Sequence, residues 1–341
     1  MTTPSSIRDP ATASFSFSDL RPTDVLAASA RIHELVRRTP LVRSVALSEI
    51  VGGDVYLKLE NEQITGSFKL RGAVNAIAAL TPDVRARGVV VSSAGNHGLG
   101  IAYAARYFKI PATVFVPRTA PQVKRDGIAA LGATLDCTEP HYDAAMGAAM
   151  AFAEESGATF INPCFGAALI AGQGTVALEI LSELPNMASL VVNVGGGGLL
   201  AGCASLVRPL LPSARIVGAQ SEKTAAMARS MAAGRVVDIE DESTLADGLA
   251  GQIDEAGLEI GRHALDEIAT VTEEQIAETI AWLWHQHGAR VEGAGAAATA
   301  AVLHRAVAPL PTPAAIIVSG GNIDATKFEQ IVERGALGVE R

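Results

Sequence analysis

The chain is poor in aromatic residues: two Trp, four Tyr and nine Phe make up 4% of 341 residues. Its core must therefore be built from Ala, Val, Leu and Ile within a hydrophobic content of 49%, with glycine at close approaches. That composition suits a parallel-sheet α/β architecture, in which strands are buried on both faces. Excess positive charge is also missing. Against 36 Asp and Glu there are 27 Lys and Arg, and the net charge of −9 argues against the clustered basic surface of a nucleic-acid binder. The three cysteines, Cys137, Cys164 and Cys203, form no CxxC pair and cannot all be bridged. They read as reduced thiols, which points to the cytoplasm. No apolar run reaches the ~18 residues of a membrane span. Residues 1–20 hold Ser, Thr, Pro and acidic residues, carry no secretory signal and read as a solvated tail.

Strand-like and helical runs alternate along the rest of the chain. VYLKLE (55–60) precedes a helical stretch at 68–80, and GVVVSS (88–93) precedes one at 97–107. ATVFVP (112–117) and ATLDCT (133–138) precede helices near 121–130 and 142–156. TFINP (159–163) precedes a helix at about 172–184, and SLVVNV (189–194), RIVGAQ (215–220) and AIIVSGG (315–321) are further short apolar runs. Such alternation predicts parallel sheets with right-handed crossovers. The βα units within 86–164 predict a small domain, with 21–85 and 165–341 forming a larger one. The acidic stretch 234–256 reads as a long connection. Ligands of such folds bind beyond the carboxyl ends of strands, in a crevice between domains.

Four segments in those positions could carry chemistry. In TGSFKLRGA (65–73), Lys69 is flanked by Phe68, Leu70 and Ala73, and apolar surroundings favour a neutral, nucleophilic amine. A solvated lysine is the plainer alternative. SSAGNHG (92–98) makes a nest of N–H groups at a helix start, suited to a carboxylate or phosphate, with the Asn96 amide available to a ring substituent. It also reads as a turn and cap. VGGGGLLAG (194–202) places four glycines after a strand and before a helix, a costly choice that fits a backbone wrapped around a phosphate. Gly196, Gly198 and Ala201 also fit a dinucleotide GxGxxA, with Glu222 further on, though that reading leaves Lys69 and Asn96 unused. VSGGNID (318–324) would point the Ser319 hydroxyl into the same crevice, or cap a helix. His285 and His287 fall on different sides of a helix and cannot easily share a metal. Glu292 in VEGAGAAA (291–298) reads as a helix cap.

These segments, in this order, resemble the serine/threonine dehydratase family of pyridoxal-phosphate enzymes, whose fold is shared with tryptophan synthase β chains and serine racemases. SFKLRGA, SAGNHG, GGGGL and SGGN each look like that family's motifs. RRTPLVRS (37–44), TLADGLAG (244–251) and VEGAGA (291–296) add to the match, which runs from about 25 to 335.

The resemblance implies a two-domain fold type II enzyme, each domain a mostly parallel sheet flanked by helices, assembled as a homodimer. Lys69 then looks like the Schiff-base lysine. Gly195, Gly196, Gly197, Gly198 and the N–H of Leu199 look like the phosphate cradle. Asn96 looks like the partner of the ring hydroxyl and Ser319 the partner of the pyridine nitrogen, while Phe68 and Gly248 flank the ring. Ser93, Gly95, Asn96 and His97 look like the loop that takes the substrate carboxylate.

The implied reaction is elimination of water from a small 3-hydroxy amino acid such as threonine or serine, giving a 2-oxo acid and ammonia. Some members of similar appearance serve 3-hydroxyaspartate or hydroxyectoine breakdown. A nicotinamide-dependent oxidoreductase and a non-catalytic amino-acid-binding protein are the alternatives from other classes. Two positions depart from serine racemases. Ala94 stands where they carry a serine acting as second base, and Gln220 and Ala226 stand where metal-binding members carry acidic ligands. No metal site and no membrane partner are expected. The chain stops near the end of the resemblance, so feedback control through a C-terminal regulatory extension is not expected.

Overall fold

The computed structural model describes residues 16–240 and 242–338. Of the expected tail, residues 1–15 lie outside the described residues. Phe17–Asp19 form a 3-10 turn, Phe17 packs on the core and Leu20 is buried.

The strands are β1 (Leu41–Arg43), β2 (Val55–Leu59), β3 (Val89–Ser92), β4 (Ala112–Phe115), β5 (Thr134–Asp136), β6 (Thr159–Phe160), β7 (Ser189–Asn193), β8 (Arg215–Ser221), β9 (Glu267–Val271) and β10 (Ala314–Val318). They form a six-stranded sheet in the order β1-β2-β10-β7-β8-β9 and a four-stranded sheet in the order β5-β4-β3-β6. All pairings are parallel except β1 with β2. The small sheet takes its strands from one continuous stretch of chain, and the large sheet from both sides of it.

Period-2 alternation distributes the larger sheet's side chains between two apolar layers. Ala315 and Ile317 of β10 join Leu190 and Val192 of β7 on one face, while Ala314, Ile316 and Val318 join Val55, Leu57 and Val191 on the other. The second layer is closed by the helix Gly293–Leu303, GAGAAATAAVL, which is apolar all round and buried from Gly293 to Val302. Such a helix belongs inside a protein, and its small side chains let neighbouring backbones approach closely.

The helix Lys69–Ala79 precedes the small sheet in sequence but packs in its core, with Leu70, Ala73, Val74 and Ile77 against Val89, Val91, Ile101 and Val114. It is also clamped from the other side. Arg71, fully buried, donates to Glu60 at the end of β2 (2.7 and 2.8 Å) and to Glu179 of the helix Ala167–Glu183 (2.7 and 3.0 Å). Lys58 Nζ completes the cluster, donating to Glu179 and to the Thr39 carbonyl at 2.6 Å each. Burial opposes the charge on Glu179, but Arg71 and Lys58 outweigh it and hold the carboxyl below its ordinary range.

The acidic stretch after the helix Ala226–Ala233 is a connection, as its composition suggests. Among its described residues, regular structure before the helix Glu255–Ala264 is confined to the 3-10 turn Asp247–Leu249. TFINP is a strand over Thr159–Phe160 alone. Asn162 then turns the chain by accepting the N–H groups of Cys164 and Phe165 at 2.9 and 3.0 Å.

Candidate active site

Four loops leave the carboxyl ends of β3, β6, β7 and β10 and meet around Lys69. Lys69 is the first residue of its helix, with Phe68 at the N-cap. The turn before it is stitched to the end of β10: Ser67 bridges Gly320, and the Phe68 N–H donates to the Ser319 carbonyl at 3.1 Å. Lys69 Nζ lies 5.4 Å from the centre of the Phe68 ring and donates to the Pro163 carbonyl, just beyond β6, at 2.8 Å.

The glycine loop follows β7. Gly197 caps the helix Gly198–Leu210 in the left-handed region at φ 95°, a conformation that favours glycine, and no side chain caps that helix start. Its first N–H groups are thus available to an anion. The loop has no room for side chains. A Cβ on Gly196 would stand 2.7 Å from Cys164 Sγ, and one on Gly198 2.7 Å from the Cys164 carbonyl oxygen. On the other side the turn Gly248–Leu249 closes on Gly195, where a Cβ would lie 3.3 Å from Leu249 Cα. Gly248 itself faces Ala294, whose Cβ would lie 3.0 Å from one built on the glycine. Ser319 is buried at the end of β10, and its hydroxyl makes one long bond, 3.4 Å, to the Ala294 carbonyl.

Beyond β3, Ser93 Oγ accepts the Gly95 N–H at 3.3 Å, and the helix Asn96–Phe108 begins. Ser93, Ala94, Gly95 and Asn96 are all half-buried, as are Lys69, Gly195, Gly196 and Gly198. They line a cleft rather than fill a core. The His97 ring is turned away into the interior. Its Nε2–H donates to the Ile161 carbonyl at 3.3 Å, and burial with the nearby Lys69 pushes its pKa down to about 3. The ring is neutral, so the part of His97 that can meet a carboxylate is its backbone.

Three residues at the site were not legible as functional in the sequence. Pro163 supplies the carbonyl for Lys69, and Cys164 supports the glycine loop. The sequence reads Glu292 as a helix cap, but its side chain makes no cap bond. It is buried and accepts from Asn96 Nδ2 at 2.6 Å, across 196 positions of sequence. Burial first, then the charge of Asp247, pushes its pKa up to about 7, against the opposing effects of the Asn96 bond and Lys124. Asp247 is itself paired with Lys124 at 2.8 Å.

An accessible lysine amine, a helix-end glycine cradle and a neutral hydroxyl donor on adjoining loops fit a ring aldehyde bearing a phosphate. The comparisons with known proteins agree. The profile of the pyridoxal-phosphate-dependent enzyme family matches residues 32–320. The chain belongs to that family. This pyridoxal-phosphate-dependent enzyme is 42% identical over 315 residues to the L-threonine ammonia-lyase of Thermotoga maritima, spanning 92% of this chain and 78% of that one. It is 38% identical over 317 residues to a catabolic L-threonine dehydratase of Staphylococcus aureus, 92% of either chain. Its fold superposes on maize serine racemase with a TM-score of 0.86 at 31% identity, covering 94% of this chain and 99% of that one. Family membership displaces the dinucleotide reading of Gly196, Gly198 and Ala201, in which Lys69 has no part.

Among the described residues no helix is long and apolar enough to cross a membrane. Gln220 is buried and accepts the Ala228 N–H at 2.9 Å, committed to the helix Ala226–Ala233.

Proposed function

We propose that this enzyme is an ammonia-lyase that removes water from a small 3-hydroxy amino acid, threonine or serine foremost, leaving a 2-oxo acid and ammonia. The observation that carries the reading is Lys69 Nζ, at the head of its helix, bonded to the carbonyl of Pro163, the residue before the Cys164 that abuts the glycine loop. The threonine ammonia-lyase and dehydratase relatives support the substrate class.

Lys69 would hold the cofactor covalently, and the N–H groups of Gly195 to Leu199 would hold its phosphate. Ser319 would donate to the pyridine nitrogen and Asn96 to the ring oxygen, with Phe68 and Gly248 on either side of the ring. Ser93, Gly95, Asn96 and the His97 backbone take the substrate carboxylate. When bound, the cofactor supplies an electron sink for the charge left at the α-carbon. Lys69 Nζ, beside the substrate, would take the α-proton. A serine hydroxyl does not ionise at neutral pH, so Ser319 leaves that sink weaker than an acidic partner would. Rapid loss of the β-hydroxyl suits a weak sink. The enamine released is hydrolysed by water to the 2-oxo acid and ammonia.

Two further readings belong to this proposal: residues 86–164 act as the small domain against 21–85 with 165–341, apart from the helix Lys69–Ala79, which packs in the small sheet's core, and the enzyme works in the cytoplasm as a homodimer. Unbridged Cys137, Cys164 and Cys203 support the compartment, and light scattering tests the dimer.

Ala94 packs against apolar neighbours and offers no proton to the face opposite Lys69. Elimination should therefore outrun racemisation by about 10²–10⁴-fold. The test is a panel of 3-hydroxy amino acids with 2-oxo acid measured, run after EDTA treatment, with D-serine followed alongside pyruvate from L-serine. Absence of 2-oxo acid from every substrate refutes the lyase reading. Comparable pyruvate and D-serine, or activity that returns only with added magnesium, refutes the finer account of Ala94 and Gln220.

A further inference from the structure

We propose that Glu292 and Asn322 are positioning residues that fix the Asn96 amide so that it presents an N–H, and never its oxygen, to the cleft. This rests on the reading that Asn96 meets the cofactor ring.

A primary amide has one accepting oxygen and two N–H donors, and its two ends are nearly alike in shape. Here the surroundings distinguish them. The relay begins at the Thr65 carbonyl, a backbone acceptor four positions before Lys69 that cannot change character. It takes one N–H of Asn322 Nδ2 at 2.8 Å, which fixes the orientation of the Asn322 amide. The other N–H of the same nitrogen is then directed at Asn96, 2.6 Å away, where Asn96 must offer its oxygen. With Oδ1 engaged, Asn96 Nδ2 donates one N–H to Glu292 Oε1 at 2.6 Å. With its oxygen turned toward Asn322, what Asn96 has left to donate is a single N–H.

Glu292 is well placed to hold its end. It is buried, its backbone N–H donates to the Gly320 carbonyl at 3.1 Å, and its Oε1 lies over Gly320, where a Cβ would have to displace the carboxyl. The groups that face its carboxyl are Asn96, the Asn322 backbone N–H, Asp247 and Lys124. A carboxyl accepts from Asn96 whether ionised or neutral, so the lock holds on both sides of neutrality. The relay also crosses the cleft. Asn96 follows β3 of the small sheet, whereas Asn322 follows β10 and Glu292 precedes a helix on the large one.

A fixed donor selects an acceptor. An N–H donor would favour the ionised form of the ring oxygen that Asn96 meets, so losing the donor should raise the pH at which that oxygen gives up its proton.

The experiment measures pyridoxal phosphate affinity by dialysis against apoenzyme and the visible absorbance of the bound cofactor from pH 6 to 9. The variants are Asn96→Ala, Asn322→Ala, Asn322→Asp, Glu292→Ala and Glu292→Gln. Asn322→Ala and Glu292→Ala should weaken affinity about tenfold, the scale of one hydrogen bond. They should move the absorbance midpoint upward, as Asn96→Ala does. Glu292→Gln keeps an acceptor and should behave as wild type. Asn322→Asp can donate to neither Thr65 nor Asn96, and should be worse than Asn322→Ala.

If Asn96→Ala shifts affinity and midpoint but the Asn322 and Glu292 variants do not, the positioning role is refuted. A lower melting temperature of the apoenzyme with an unmoved absorbance midpoint has the same meaning. If Asn96→Ala itself changes neither quantity, the contact between Asn96 and the ring is wrong and the relay falls with it. Should Glu292→Ala fail to fold, the exposed Asn322 variants decide the matter.

Discussion

Ser319 contributes one neutral hydroxyl to the cleft, bonded at 3.4 Å to the Ala294 carbonyl. A neutral hydrogen bond is worth roughly 0.5–1.5 kcal/mol, whereas N–H groups on a phosphate are charge-assisted and stronger. Ser319→Ala should therefore lower kcat more than it weakens cofactor binding, which should change less than about tenfold by dialysis. A variant that purifies without cofactor and regains full turnover in excess cofactor would contradict this role. At Glu292 the expectation concerns pH. Its folded pKa, raised to about 7 by burial and Asp247, exceeds the ordinary carboxylate value of 4.5, so folding favours the neutral form. The stability linked to that proton is complete below about pH 4.5 and is lost as pH rises through 7. Wild type should lose more melting temperature between pH 6 and pH 8.5 than Glu292→Gln, which cannot ionise; equal losses would show that the carboxyl is not held neutral. Glu292 also marks where sequence reasoning stopped. A glutamate before a helix is an ordinary cap, and nothing local announces that its partner is Asn96. Lys69, Asn96 and Ser319 could be picked out because each follows a strand in a recognisable motif.

Turning to elements, the glycine loop makes a discriminating prediction. An added Cβ meets the Cys164 side chain at Gly196 but the Cys164 backbone at Gly198. Both Gly196→Ala and Gly198→Ala should lose cofactor affinity. Truncating the thiol in Gly196→Ala/Cys164→Ala should recover part of the loss, and Gly198→Ala/Cys164→Ala none, measured by dialysis of pyridoxal phosphate. Equal rescue, or none in either case, would mean that Cys164 does not support the loop. The strand-loop-helix units around these motifs were readable from the sequence because each apolar run is closed by Gly, Ser or Asn. The helix Tyr142–Ser156 falls on its expected bounds, and Asn96–Phe108 extends the expected 97–107 by one residue at each end. β9 (Glu267–Val271) was missed, since EIATV mixes a charge with short side chains and edges the sheet, where one neighbour, β8, suffices to hold it. The helix Pro22–Ile32 was missed as well. Its buried face of Val25, Ala28 and Ile32 is narrow, and packing against the rest of the chain stabilises it more than propensity does.

At the scale of the whole molecule, the buried cluster of Arg71, Glu60, Glu179 and Lys58 joins both halves of the fold. Arg71→Met removes one cation and leaves two carboxylates short of partners in the interior. Breaking a buried pair in this way typically costs about 3–5 kcal/mol. The variant should show a loss of that order in urea denaturation, largely independent of added salt, because buried pairs are weakly screened. Substituting Lys124, whose pairing with Asp247 is exposed, should cost little. A small or strongly salt-dependent loss for Arg71→Met would show that the cluster does not carry the joint. The lysine helix is thus shared property, its body set in the core of the small sheet and its first turn stitched to β10 of the large one. In a joiner's terms Ser67 and Phe68 are the mortise in which the lysine helix is set: its head is pinned to the large sheet and its shaft to the small one, so the place of the Lys69 amine is fixed by both sheets at once.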